Sequence, residues 1–274
     1  MRWQGRREST NVEDRRNSRG SFRGGKQIGV LSFIILLVGA YYGVDLSGLV
    51  GTPDFSDPIS LNTQEQQRLD SLSRVVLADT ENVWGNYFAQ HNQSYHPPIM
   101  VLYNRETHTA CGMGQAAIGP FYCPNDYRLY LDLSFYNDMR NQLDAEGDSA
   151  FAYVIAHEVG HHIQNLLGIL PKVHQAQRNL SPIQANQLSV KLELQADCFA
   201  GVWASQASKI GLFETGDIEK IFRAAQAVGD DRLQKRTQGY IVPDSFTHGT
   251  SAQRLAWFKR GFQSGQPRQC DTFD

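Results

Sequence analysis

The sequence predicts an α+β fold, and three observations carry that prediction. Short strand-like runs cluster between residues 99 and 133, long helical segments with cap signals fill the chain beyond residue 148, and a helix with period-3.6 apolar positions precedes both. At 274 residues with 41% hydrophobic composition, the chain suffices for one sizeable core with appendages.

Residues 1–27 hold eight Lys/Arg against three acids and lack apolar periodicity, so they are expected to be a disordered basic cytoplasmic tail. Residues 28–44, IGVLSFIILLVGAYYGV, form an uncharged run just long enough to cross a thin hydrocarbon core. All eight basic residues precede it, which predicts a single-pass transmembrane anchor with a cytoplasmic N-terminus and an extracytoplasmic body. The alternative is a cleaved signal peptide, with Val38-Gly39-Ala40 as the small-residue site. Residues 45–61, rich in Gly, Pro, Ser and Asp, read as a linker, and residues 62–274 as the folded domain.

In that domain Thr63 to Gln66 read as a capping box opening an amphipathic helix that ends before Pro97-Pro98. Three strand-like runs follow, Ile99 to Tyr103, Ala110 to Ile118 and Tyr127 to Leu133, the last with strict apolar alternation. Helices are then expected from about Ser149 to Leu167 behind an Asp148 N-cap, from Pro182 to Ala207 behind Ser181, and from Ile218 to Val228. A last one runs through Phe262 behind a Thr250–Gln253 capping box. Gly168 and Gly265 are helix stops.

No basic stripe persists beyond residue 27, which excludes nucleic acid as a partner. Cys111, Cys123, Cys198 and Cys270 all follow the apolar run. In an oxidising compartment, Cys111 is expected to pair with Cys123 across a Gly-rich turn and Cys198 with Cys270; four buried thiols are the alternative.

The chemistry concentrates in His157-Glu158-Val159-Gly160-His161. Residues four apart share a helix face, so two imidazoles converge on one Zn²⁺ while Glu158, one residue round, flanks it and can deprotonate a water. A catalytic zinc wants a third protein ligand. Glu193-Leu194-Gln195-Ala196-Asp197 offers two more acids four apart in an otherwise apolar helix: Glu193 as the third ligand and Asp197 as acceptor for a ligand ring N–H. Acids there are expensive to bury without such partners.

These HExxH and ExxxD helices resemble those of the glutamate-type zincin metallopeptidases. The blocks MRWQGRRESTNVEDRR, GPFYCP, HEVGHH, ELQADCFAGVWA and THGTSAQRLAWF resemble the bacterial neutral zinc metallopeptidase family from end to end of the chain. The resemblance implies a zincin-like domain, in which a small twisted sheet lies over the active-site helix and an edge strand aligns a peptide or protein substrate. Gly160 fits a close backbone approach in a helix interior. It also implies that a downstream residue stabilises the oxyanion, for which His248 is the leading candidate and Arg254 and Tyr240 are alternatives. His162 is expected to be a supporting or surface group, and Ala110 to Ile118 is the expected substrate-aligning segment.

The expected activity is zinc-dependent peptide-bond hydrolysis. The rival readings are a zinc hydrolase of a non-peptide bond, such as a cell-wall amide, and a catalytically silent module tethered at the membrane. The sequence does not fix the oligomeric state.

Overall fold

In the computed structural model, residues 1–16, 61–116 and 119–274 are described, and a four-stranded sheet at their centre has the order β1-β2-β6-β5. Its strands are β1 (Val12–Asp14), β2 (Ile99–Leu102), β5 (Phe121–Cys123) and β6 (Arg128–Leu131). β1 runs parallel to β2 and β2 parallel to β6, whereas β5 closes the other edge antiparallel to β6. Between β2 and β5, β3 (Glu106–Thr109) and β4 (Gly112–Gln115) make a separate hairpin. Of the expected 110–118 strand, residues 112–115 form β4 in this hairpin, outside the four-stranded sheet, and residues 117–118 lie outside the described residues.

The alternating pattern seen around residue 130 divides two cores. Met100, Leu102, Leu129 and Leu131 face the main core with the helices, while Val101, Tyr103, Tyr130 and Cys123 face a smaller one with Phe121 and Ala116. A Cys111–Cys123 disulfide ties the hairpin to β5 beside that small core. Its partner pairing, Cys198–Cys270, is also formed.

Helix α1 (Thr63–Gln90) starts one residue earlier than the expected box requires: Asn62 is the N-cap, and its side chain accepts from the Glu65 N–H. After α2 (Phe135–Asn141), helix α3 (Asp148–Leu166) opens without a side-chain cap, on Gly147 at φ 107°. Asp148 instead receives Trp3 Nε1 at 2.9 Å and Arg68 Nη1 at 2.6 Å. Helices α4 (Ile169–Gln177), α5 (Pro182–Lys209), α6 (Asp217–Ala227), α7 (Asp230–Gln238) and α8 (Ser251–Ser264) follow. The capping boxes at Ser181–Gln184 and Thr250–Gln253 are both made, and Gly168 and Gly265 turn left-handed at the ends of α3 and α8.

Glycines set the closest helix contacts. A Cβ on Gly160 of α3 would lie 2.9 Å from the carbonyl oxygen of Ala196 on α5, and one on Gly261 of α8 would lie 1.9 Å from that of Cys198. Only bare backbone permits such approaches, and α3, α5 and α8 are thereby stacked side by side.

The main correction concerns the N-terminus. Residues 1–16 are folded onto the body rather than forming a tail: Trp3 is buried, the Arg2 N–H donates to Leu212 O, the Ser9 N–H donates to Arg74 O, and β1 adds a strand to the sheet. Residues 17–27, the apolar run 28–44 and most of the 45–61 linker lie outside the described residues. Among the described residues no helix is long and apolar enough to cross a membrane. The described residues before and after residues 28–44, 1–16 and those from 61 on, belong to one folded body. In this sheet β1, which precedes residues 28–44, and β2, which follows them, lie side by side.

Because Trp3 fills the core and donates to Asp148, Trp3→Ala is expected to destabilise the protein by about 3 kcal/mol, read from urea unfolding of the full chain. A free tail would show no change.

Candidate metal centre

The site forms where α3 and α5 touch. With no side chain at Gly160, the helices approach closely enough for one turn of imidazoles to face one turn of carboxylates. His157 Nε2 lies 3.2 Å from Glu193 Oε2, and His161 Nε2 lies 3.4 Å from Glu193 Oε1. Ligand atoms of these three residues all fall within 4.8 Å of one another, and the two rings stand nearly perpendicular. Bonds of about 2.1 Å to a tetrahedral zinc imply ligand separations of about 3.4 Å, which the two contacts match.

The donor set also suits a metal chemically. His157 Nδ1 donates to Asp197 Oδ1 at 2.9 Å, and His161 Nδ1 is 2.9 Å from Gln164 Oε1. Each ring therefore keeps its Nε2 for a cation. Burial opposes a charge on His157, but the hydrogen bond and charge of Asp197, with help from Glu193, more than offset it and lift the ring to about 10. Burial likewise works against the Glu193 carboxylate, yet the two histidines hold it well below its ordinary range. In the bare protein, protons provide the positive charge that a bound divalent ion displaces.

Asp197 is fully buried and is the hub behind the site. Besides His157 it accepts from Tyr153 Oη at 2.5 Å, from Arg254 Nε at 2.7 Å and from Arg254 Nη2 at 3.0 Å. Burial raises the cost of its charge; Arg254, the largest opposing influence, and His157 keep it ionised. Arg254 is itself buried, lies 3.7 Å from Glu193 and donates through Nη1 to Val228 O. It is thus engaged behind His157 as the counter-ion of Asp197. Tyr240 stands 62% exposed on the loop after α7, and its hydroxyl takes no part in the site's hydrogen bonds.

Glu158 differs from the other two acids. It is buried beside the cluster and, among the described residues, its carboxylate has no hydrogen bond or ion pair. Burial pushes its pKa up, against the pull of His161 and His157. A carboxylate so placed is a proton acceptor waiting for a partner.

His248 comes to the same region on the loop before α8. Three consecutive backbone N–H groups, from Thr247, His248 and Gly249, converge on Asp230 Oδ2 at 2.8, 2.6 and 3.0 Å, while Asp230 Oδ1 holds His248 Nδ1 at 3.1 Å. Burial opposes the imidazolium, but Asp230 outweighs it and raises the ring's pKa, with Glu193 adding to the rise and Arg254 working against it. Gly249 packs on Val190 and Leu194, one residue from Glu193. His248 Nε2 has no partner among the described residues.

His162 is buried and structural. Its Nε2 donates to His96 O at 2.7 Å and its Nδ1 accepts from Tyr122 Oη at 3.0 Å, which fastens edge strand β5 to α3. Burial lowers its pKa to about 4, so it stays neutral.

Sequence reasoning missed Arg254 as a partner of Asp197, Asp230 as the partner of His248, and Gln164. Arg254 and Gln164 carried a faint signal: a buried acid needs a cation, and Gln164 sits one turn beyond His161 on the same face.

The chain matches, over residues 1–273, the family described as "Putative neutral zinc metallopeptidase". It is 55% identical to the uncharacterized protein YpfJ of Escherichia coli strain K12, covering 100% of this chain and 99% of that one. It is 43% identical over 190 residues to the uncharacterized protein Rv2575 of Mycobacterium tuberculosis, covering 65% of this chain and 63% of that one. No solved structure matches.

Removing the guanidinium strands Asp197 as a buried unpaired charge. Arg254→Leu is therefore expected to cost about 3 kcal/mol or more in unfolding free energy of the metal-free protein, measured by chemical denaturation.

Proposed function

This chain belongs to the neutral zinc metallopeptidase family, and from that premise we propose that it hydrolyses peptide bonds using one zinc ion held by His157, His161 and Glu193. The observation that carries the proposal is a buried carboxylate, Glu158, left without a partner beside three convergent ligand atoms whose rings are already oriented from behind. A structural zinc site wants four protein ligands and no base, whereas this cluster holds three among the described residues and includes a base.

Zinc bound there would polarise the scissile carbonyl and lower the pKa of the attacking water. Glu158 takes the proton from that water and later delivers it to the leaving amine; its raised pKa suits both halves of the exchange. His248, with Nδ1 held by Asp230, presents Nε2–H to the developing oxyanion. Asp197 keeps His157 in the tautomer that leaves Nε2 free, and Arg254 keeps Asp197 charged.

The substrate's extended backbone is proposed to pair along β5 (Phe121–Cys123). β5 ends the sheet order and packs on α3, while β4 (Gly112–Gln115) lies off the sheet. Main-chain pairing of this kind gives affinity with little side-chain selectivity. We further propose that the body works in an oxidising extracytoplasmic compartment, which its two disulfides suit, and that residues 28–44 hold it at the bacterial inner membrane with both flanks on the same side.

The test is metal content and cleavage of an unfolded protein substrate by the purified full chain. Wild type and Glu158→Gln are both expected to bind about one zinc per chain, with the variant's kcat lower by roughly 10²- to 10⁴-fold. Chelation should abolish wild-type activity and zinc restore it. Glu158→Gln cleaving at the wild-type rate would overturn the assignment; products from cell-wall amides but from no peptide would move the activity to the rival bond. His248→Ala should lower kcat by about 10²-fold with KM little changed.

A further inference from the structure

His161 is oriented differently from His157. Where His157 leans on a charged hub, His161 Nδ1 meets a neutral amide, Gln164 Oε1, at 2.9 Å. Gln164 Nε2 lies 2.7 Å from Leu192 O and 3.2 Å from Gln195 Oε1, and Gln195 Nε2 lies 2.8 Å from Cys270 O. Gln164 is 0% exposed and Gln195 4%. Two amides so deep between helices would be costly without these bonds.

The direction of this chain of hydrogen bonds is not free. Backbone carbonyls only accept, so Cys270 O requires the NH₂ of Gln195, and Leu192 O requires the NH₂ of Gln164. Each glutamine must then turn its oxygen the other way, Gln195 toward Gln164 and Gln164 toward His161. An oxygen facing Nδ1 requires that nitrogen to carry the proton, which leaves the Nε2 lone pair directed at Glu193 and the metal position. The last link, Cys270, is covalently fixed to Cys198 on α5, the helix that also carries Glu193 and Asp197.

We propose that Gln164 and Gln195 are positioning residues that set the tautomer and direction of His161 from the backbone carbonyls of Leu192 and Cys270, with the Cys198–Cys270 disulfide as the anchor of the relay. This rests on the reading of His161 as a metal ligand. Gln164 is the principal element, since Leu192 O alone already fixes its orientation; Gln195 stiffens it.

Gln164→Met, Gln164→Glu and Gln195→Met in the full chain separate positioning from packing. Zinc affinity is read by competition with a chromophoric chelator, and stability by urea unfolding of the metal-free protein. Methionine at 164 fills the space but offers no acceptor, so zinc affinity should fall about 10- to 100-fold. Glutamate at 164 keeps an oxygen for Nδ1–H but faces Leu192 O with a second oxygen, so stability should fall while zinc affinity stays near wild type. Gln195→Met should lose less than about tenfold. In the zinc-loaded protein, the hydrogen-bonded Nδ1 proton of His161 should give a downfield resonance in wild type and Gln164→Glu that is lost to solvent exchange in Gln164→Met.

Wild-type zinc affinity in Gln164→Met, with the Nδ1 resonance intact, would overturn the relay and leave the metal site standing. A wild-type chain that binds no zinc would overturn both.

Discussion

The arrangement depends on the contact between α3 and α5 at Gly160 and Ala196. On α3, His157, Gly160, His161 and Gln164 lie on one stripe; on α5, Glu193, Ala196 and Asp197 lie on another. With a hydrogen at one crossing point and a methyl at the other, the backbones come close enough for imidazole nitrogens to reach carboxylate oxygens across the gap. Larger side chains at the crossing would hold the stripes apart, and the polar heads would then require water between them. The same device recurs between α5 and α8, where Gly201 and Gly261 let the backbones meet and deliver Arg254 to the back of Asp197. Two successive close crossings thus build a layered site, with Arg254 and Tyr153 behind Asp197, Asp197 behind His157, and His157 beside Glu193.

Its electrostatics follow from that layering. Two acids with low pKa values and a third with a raised one share a small buried volume with two histidines and one arginine. Position decides which is which. Asp197 touches a guanidinium and Glu193 touches two imidazoles, whereas Glu158, rotated off the stripe, touches neither. One helical residue of rotation takes Glu158 off the stripe that His157 shares with Gly160 and His161.

Local signals were legible in the sequence because they act over three or four residues. The capping boxes at Ser181 and Thr250, the glycine stops at Gly168 and Gly265, the i,i+4 histidines and the i,i+4 acids all depend on helix geometry alone. The α+β class and both cysteine pairings were legible as well, the pairings because one short bracketed pair leaves the other. The expected zincin-like architecture at the site belongs to the proposal for its chemistry. Partnerships that depend on distant packing were not legible. Arg254 resembles any arginine near the start of a surface helix, and its role exists only because α8 meets α5. Asp230 opens a short helix rich in charge, where nothing nearby says that three N–H groups of a loop 17 to 19 residues on will wrap its carboxylate. β1, three residues long with two acids, has no pattern of its own; its place comes from the open edge of β2 and the arginines around it.

That last strand has a consequence for timing. Residues 1–16 leave the ribosome before any of their partners exist, and these partners are scattered from Asp70 and Arg74 through Met100 to Leu212. At about 5–20 residues per second, the segment waits on the order of ten to forty seconds before its farthest contact is made. Closing so long a loop costs little more than closing one half its length, because the entropy grows only with the logarithm of length. The delay is therefore kinetic rather than energetic: β1 can pair once β2 has emerged, but the Arg2 contact with Leu212 can form only when most of the body has been made.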